Sequence, residues 1–593
     1  MLDDVIYIIK LYAGLFLISY LAMKIRFWEE CAGYRCLFKY FYKFLSILLV
    51  LLYVVVKLKA LDVLSIFSVF ILIVVFDYLI SGRRNATKTD YVKIGLNQKI
   101  YDFFDGVVKF KFKNPNLKLT IWHFIFVFVL FSGLFLWVSS EIKNCSLSSI
   151  TQHERLLKIA SILTNNYTFG INDFGANSLC AFLSLIFGTN QYVVLHLFGA
   201  FNFLILVIGI SLLTHELTKD FISVVLGISL FAFGFLMLNL NLNLFGNSSF
   251  LFALGWSLML VYFWRDVGWV QRILSLISIF FIDIFAGFTM PFLIILSELL
   301  EKSLRNFKTN RKKSIKFILL SILIFFSPFV LEVYFSSNPE LEIKVYALFL
   351  NHEVSAYLPA FLNVLIFLAL LILIFELISW RSGDELFRIF YGIFSLLLLV
   401  YTLAAQKGLL NFVPFELFYP FAITNSFIWL INIFRKILRK WEFIYAVFVV
   451  CIIIILAANA FVYNAFKVKG SIEPCEIVRV IKKIQKESLP FSLALVSHSG
   501  TRPMVENWAW FMDWDYFIKN YILINEPKKI YDVVYVVVPK QGSIDKIHSS
   551  FLPRVENLSS VLDSICLNYK HAISQVYFDG FDIKVYKLTK LER

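Results

Sequence analysis

Two stretches hold residues whose types could do acid–base chemistry. His153-Glu154 stands in a polar interval, Ser139–Asn190, between the apolar runs Thr120–Val138 and Gln191–Leu213. Asp173 lies further along the same interval. A carboxylate held at a membrane surface can take a proton from a hydroxyl or amine and so create a nucleophile. It can equally cap a helix dipole. Asp173 has Gly170 and Gly175 on either side; glycine permits the irregular backbone of a substrate-approach loop, and an aspartate there is also an ordinary turn residue. Lys407 and Asn411 fall between the later apolar runs 387–405 and 414–434. A lysine in that place can meet a phosphate as a point charge or snorkel to headgroups.

Around Glu154 the text is amphipathic. Leu156, Leu157, Ile159, Ala160 and Leu163 have helical spacing, with Arg155 and Lys158 expected on the other face. This predicts a helix lying in the interface, with Glu154 in its first turn.

Other polar groups carry less. Glu340, Glu342, His352 and Glu353 have no metal-ligand spacing and read as a solvated loop. His215-Glu216 lacks the second histidine of a zinc-protease motif. Three glycosylation sequons begin at Asn144, Asn166 and Asn247, a pattern short enough to arise by chance. Trp508, Trp510 and Trp514, near Asp513, Asp515 and the polar run His498–Arg502, could stack on sugars but read better as packing against a membrane interface.

Composition sets the frame. The chain has 593 residues, 59% hydrophobic, with mean hydropathy +0.76, well above a soluble domain. It is therefore read as a polytopic membrane protein. The net charge of +15 is not a nucleic-acid signature, because the basic residues cluster in short segments between apolar runs. The seven cysteines include no CxxC pair, which excludes a zinc ribbon. There is no Walker or GxGxxG phosphate loop. No basic n-region precedes the first apolar run, so no cleavable signal is expected.

The apolar runs predict about fourteen membrane helices. Residues 1–81 read as a three-helix extension, 82–118 as a basic cytoplasmic segment, and 119–463 as the main membrane core. Segments 24–43, 301–316 and 435–440 are also basic and are expected to face the cytoplasm. That scheme requires the run 272–298, with Asp283 and Gly287 inside it, to be a hairpin turning near Ala286–Thr289, with Pro291 opening its second helix. The interval 139–190 and the loops 239–248, 335–356 and 406–413 then face outward.

Residues 464–593 read as a soluble extracytoplasmic α/β domain. Helical spacing covers Ile477–Lys486 and Ser559–Tyr569, and strands are expected at Ser492–Ser497 and Val533–Val538. Val505–Tyr521 reads as an aromatic-rich helix, and Gln575–Leu588 as a hairpin turning at Asp579-Gly580.

The order of these parts resembles the GT-C membrane glycosyltransferases, the superfamily of protein O-mannosyltransferases and aminoarabinose transferases. The matching text is Gln152-His153-Glu154-Arg155, then LLKIASILTNN, YTFGINDFG and ANSLCAFLSLIFGTN, the hairpin ISIFFIDIFAGFTMPFLIILSELL, and QKGLLNFVPFELFYPFAI. The likeness is one of layout and covers roughly 119–463. It implies a polyprenyl-phosphate-linked sugar as donor, a lipid, glycan or protein as acceptor, and inverting transfer at the outer face of the inner or plasma membrane. Glu154 would be the base and Asp173 a second acid. His153, Arg155, Lys407 and Asn411 would contact substrate, with Lys407 stabilising the departing phosphate. No organic cofactor is implied, and a divalent metal is left open. The family carries an Asp-Glu pair where this chain has His153-Glu154, which keeps a catalytically inactive scaffold in view as the alternative. A lipid or sugar transporter is the third reading; only Asp283 speaks for it.

Overall fold

The computed structural model describes residues 6–24, 34–62, 64–69, 71–72, 121–143, 150–167, 174–234, 249–350, 360–378, 386–466, 475–506, 508–522, 531–547, 551–568 and 572–590. Asp173, the segment 82–118, and His352 and Glu353 lie outside these residues. Among the described residues the chain is a helix bundle followed by a small sheet domain. Among these residues seven helices are long and apolar enough to cross a membrane, by length and composition, where the sequence predicts about fourteen membrane helices over the whole chain. Others are as apolar but shorter, such as Ser249–Phe263 and Trp269–Ile282. A helix of 14 residues is about 21 Å long, less than the ~30 Å of a bilayer's hydrocarbon core.

The helices that position the candidate residues are α1 (Tyr34–Lys57), α2 (Ile150–Leu163), α3 (Phe174–Phe187), α4 (Gln191–His196), α5 (Phe198–Thr218), α6 (Trp269–Ile282), α7 (Ile284–Thr309) and α8 (Arg311–Ser336). The interval Ser139–Asn190 is thus largely helical. The helix Ile121–Lys143 runs on past Val138, and α2 and α3 follow. α3 is apolar and buried along most of its length, packed on α1, α2 and α6. It ends at Gly188, whose φ of +57° suits glycine. Asn190 then caps α4, its Oδ1 accepting from Tyr192 N at 2.8 Å.

The run 272–298 breaks at Asp283, slightly before the expected turn. Asp283 is a single extended residue between α6 and α7, and its Oδ1 accepts from the Ala286 amide at 2.8 Å, capping α7. The two helices fold back on each other at Gly287, where a Cβ would lie 2.4 Å from the Phe280 Cα. Pro291 sits inside α7 rather than opening it.

Paired charges gather at one end of the bundle. Arg35 meets Asp266 at 2.7 Å, and Arg265 and Arg305 both meet the buried Glu301. Glu298 takes Lys302 at 2.8 Å and the Trp264 indole N–H at 3.0 Å. Arg435 meets Asp220 at 3.2 Å, Lys436 meets Glu376 at 2.6 Å, and Glu216 pairs with Lys219. This end includes the start of α1 and the turn between α7 and α8, so it is a basic face. The C-terminal ends of α1 and α6 lie at the opposite face.

The C-terminal domain begins with α9 (Cys475–Glu487), which buries Ile477, Val478, Ile481 and Ile484. Five strands follow: β1 (Ala494–Ser497), β2 (Trp510–Asp513), β3 (Val533–Pro539), β4 (Ala572–Asp579) and β5 (Ile583–Lys590), in spatial order β2-β1-β3-β5-β4. β1, β2 and β3 are parallel; β5 runs antiparallel to β3 and β4. β1 and β3 are central and buried, as continuous apolar strands are. The stretch Val505–Tyr521 is not one helix. A short helix, α10 (Arg502–Val505), ends at its first residue, and β2 and then the helix Trp514–Ile522 follow. Trp508 and Trp514 belong to the core, their indoles donating to the carbonyls of Met504 at 2.7 Å and Val537 at 2.8 Å. Trp510 alone of the three is half exposed.

Candidate functional site

The candidate residues sort by element. α2 carries both Glu154 and Arg155, one turned to the surface and the other inward. Glu154 is exposed. Arg155 is buried beside Leu156, Ile159 and Ile162, while Leu157 is exposed. This reverses the sequence expectation that put Arg155 on the polar face. Two specific partners offset part of the cost of burying this guanidinium. Its Nε donates to the buried Asn177 Oδ1 at 3.0 Å, and its Cζ lies 5.5 Å from the Phe198 ring centroid. Asn177 comes from α3 and Phe198 from α5, so Arg155 ties three helices together. The backbone of His153 lies on α2.

A buried polar group continues beyond Arg155. Gln191, His196 and Asn202 are all nearly inaccessible on α4 and α5. Tyr12, from the N-terminal extension, donates its hydroxyl hydrogen to the Leu197 carbonyl at 2.8 Å. Sequence reasoning missed Asn177, Gln191 and Asn202; the available signal was an amide in an otherwise apolar run.

The C-terminal domain sits directly on this region. α10 packs against α2 and α4. Lys482 of α9 places its Nζ 5.3 Å from the Tyr192 ring centroid on α4. The domain therefore lies at the face opposite the basic one, and α2 lies at the junction between bundle and domain.

Lys407 and Asn411 are held elsewhere. Both are exposed in the turn after the helix Leu386–Gln406. Gly408 makes that turn with φ +70°. The turn is latched to α8, where Glu332 Oε2 accepts from the backbone N–H of Asn411 at 2.8 Å and of Phe412 at 3.2 Å. Phe412 also packs edge-on against Phe335 of α8, ring centroids 5.3 Å apart. The main packing partners of α2 are α3, α4 and α10, whereas the turn that carries Lys407 is held by α8.

Glu340 and Glu342 begin an exposed helix, Pro339–Leu350, in place of the expected loop. Among the described residues no cluster of three His, Cys, Asp or Glu side chains is arranged to hold a metal.

No protein-family profile matches the chain, and no curated protein sequence matches it. Among solved structures it has a slight likeness to the Archaeoglobus fulgidus oligosaccharyltransferase in its complex with Zn and sulfate. The identity is 13% and the TM-score 0.40, over 70% of this chain and 67% of that one. For the apo form of the same enzyme the identity is 13% and the TM-score 0.38, over 70% and 69%.

Proposed function

We propose that the chain is a membrane glycosyltransferase that moves a sugar from a polyprenyl-phosphate carrier to an acceptor at the face opposite the basic one. The observation that carries this reading is the pairing on α2: an exposed carboxylate, Glu154, next to a guanidinium, Arg155, buried against α3 and α5. A buried anchor of that kind fixes the rotation of an interfacial helix and so the direction of its neighbouring side chain. The carboxylate stands at the junction with the soluble domain, where a lipid-borne donor and a water-borne acceptor can meet.

In the proposed reaction the acceptor oxygen or nitrogen attacks the anomeric carbon from the side away from the phosphate. Glu154 takes the acceptor's proton as that bond forms. The bond from the anomeric carbon to the phosphate oxygen breaks, and the electron pair leaves with the phosphate. The anomeric configuration inverts. Asp173 would assist as a second acid, and Lys407 and Asn411 would meet the carrier at the rim. Orientation follows from charge: with the basic face cytoplasmic, the junction and the soluble domain are extracytoplasmic.

The test is transfer from radiolabelled polyprenyl-phosphate sugars in membranes holding the wild type or Glu154→Gln. Loss of transfer with unchanged protein level supports the role, and undiminished transfer removes Glu154 from it. A wild type that transfers nothing from any such donor hands the chain to the scaffold reading.

A further inference from the structure

The N-terminal extension, read from sequence as an addition to the core, reaches the same face as the candidate site. Its helix α1 ends at Lys57, which is exposed. The Lys57 ammonium stands 5.7 Å from the ring centroid of Tyr53 and 5.9 Å from that of Tyr167. These are long cation–π contacts, which stabilise weakly and leave the charge unneutralised. Among the described residues Lys57 has no acidic partner within the 4.0 Å of an ion pair.

The surroundings of Lys57 are closely packed. Tyr53 stacks on Phe281 of α6 with centroids 4.4 Å apart and meets Phe174 of α3 edge-on at 5.2 Å. Tyr167 meets Phe174 edge-on at 5.5 Å. The turn after α1 and the turn after α2 are pinned together, Asn165 Oδ1 accepting from the Leu61 amide at 3.0 Å. Each turn holds a non-glycine residue in the left-handed region, Lys59 at φ +55° and Asn165 at φ +57°. Such backbone persists where surrounding structure dictates it, and it concentrates at ligand sites. Phe174 directly follows Asp173 in the chain.

We propose that Lys57, between Tyr53 and Tyr167, is the anion-binding residue for a phosphate ester carried on a lipid. An ammonium with three donors and, among the described residues, no acid partner, held at a membrane surface against aromatic walls, suits a phosphate attached to an apolar chain. The N-terminal extension is then part of the donor site. The assignment rests on the transferase reading for what the lipid carries, but the site is tested without transfer.

The experiment uses the full chain in zwitterionic nanodiscs and reads retention of undecaprenyl phosphate by native mass spectrometry. Undecaprenol, which lacks the phosphate, is the control. Wild type should retain the phosphate over the alcohol. Lys57→Ala should weaken retention by about tenfold, and Lys57→Arg, which keeps the charge, should hold within about threefold of wild type. Equal retention by wild type and Lys57→Ala overturns the proposal. Displacement of the lipid by a water-soluble hexose phosphate at comparable concentration overturns the lipid-borne assignment. A protein that binds the carrier through Lys57 yet transfers no sugar sinks the transferase reading alone. A protein that transfers sugar with the carrier affinity of Lys57→Ala unchanged sinks this one alone.

Discussion

Arg155 and Asn177 are joined by a buried hydrogen bond of 3.0 Å that links α2 to α3. A bond to a charged group contributes about 1.5–3 kcal/mol, and removing one partner strands the other in a dry place. Asn177→Leu should therefore destabilise the bundle by that order. Arg155→Leu should do the same, and the double variant should cost less than the sum of the two. A double-mutant cycle of thermal or denaturant unfolding in detergent checks this. Strict additivity would mean the two side chains do not act as a unit.

Glu154→Gln should separate chemistry from folding. The side chain is exposed, so stability should stay within about 0.5 kcal/mol. Transfer should fall by roughly 10²–10⁴, the usual contribution of a positioned general base. A variant that loses stability and transfer in proportion would point to a structural role instead.

At the break between α6 and α7, two substitutions should rank in a fixed order. Asp283→Asn keeps an oxygen that can accept from the Ala286 amide, so it should cost little, as caps interchange well. Gly287→Ala puts a methyl 2.4 Å from the Phe280 Cα, a backbone clash that overpacking data put at about 1–3 kcal/mol or more. Melting temperatures in nanodiscs read the order, and Gly287→Ala matching wild type would mean the hairpin is looser than described.

Glu476 holds the tip of the β4–β5 hairpin. Its carboxylate accepts from the backbone N–H of Phe581 at 2.9 Å, Asp582 at 2.8 Å and Ile583 at 3.1 Å. Glu476→Ala should open those three amides to hydrogen exchange while β1 and β3 stay protected. Exchange that rises equally across the sheet would show that the whole domain depends on this contact.

The hairpin also gives the domain an acid-range dependence. The Asp579 carboxyl is held below the usual aspartate range, chiefly by its hydrogen bond with Lys540, 2.8 Å away. A depressed folded-state pKa adds stability that is fully present above the unfolded value and lost as pH falls through the folded one. Asp579→Asn should flatten that slope below the ordinary aspartate range and change nothing near neutrality. Both groups are exposed and screened, so the effect is small. An unchanged acid slope in the variant would assign the dependence to other carboxylates.

What the residue order revealed, and what it hid, follow from how local each feature is. The break at Asp283 was legible because an acid and a glycine inside an apolar run are locally costly. The strand Val533–Pro539 was legible because β-branched residues fill it. Arg155 was misplaced because its partners, Asn177 and Phe198, come from other helices, and periodicity sees one helix at a time. The aromatic stretch after Val505 was misread for a related reason. Trp508 and Trp514 pack into the core of the sheet domain, and the strand β2 between them is set by its pairing with β1, which a 3.6-residue count does not contain. Lys57 carried no local signal, since Tyr167 approaches it, and Phe281 approaches its neighbour Tyr53, only through the fold.

The soluble domain meets the bundle through Lys482 over Tyr192 and α10 on α2 and α4, and the chain between Phe466 and Cys475 joins the two covalently. Docking is therefore an encounter between parts of one molecule, at an effective concentration on the order of millimolar for short tethers. A tethered domain of this kind stays seated through contacts weaker than two separate proteins would need.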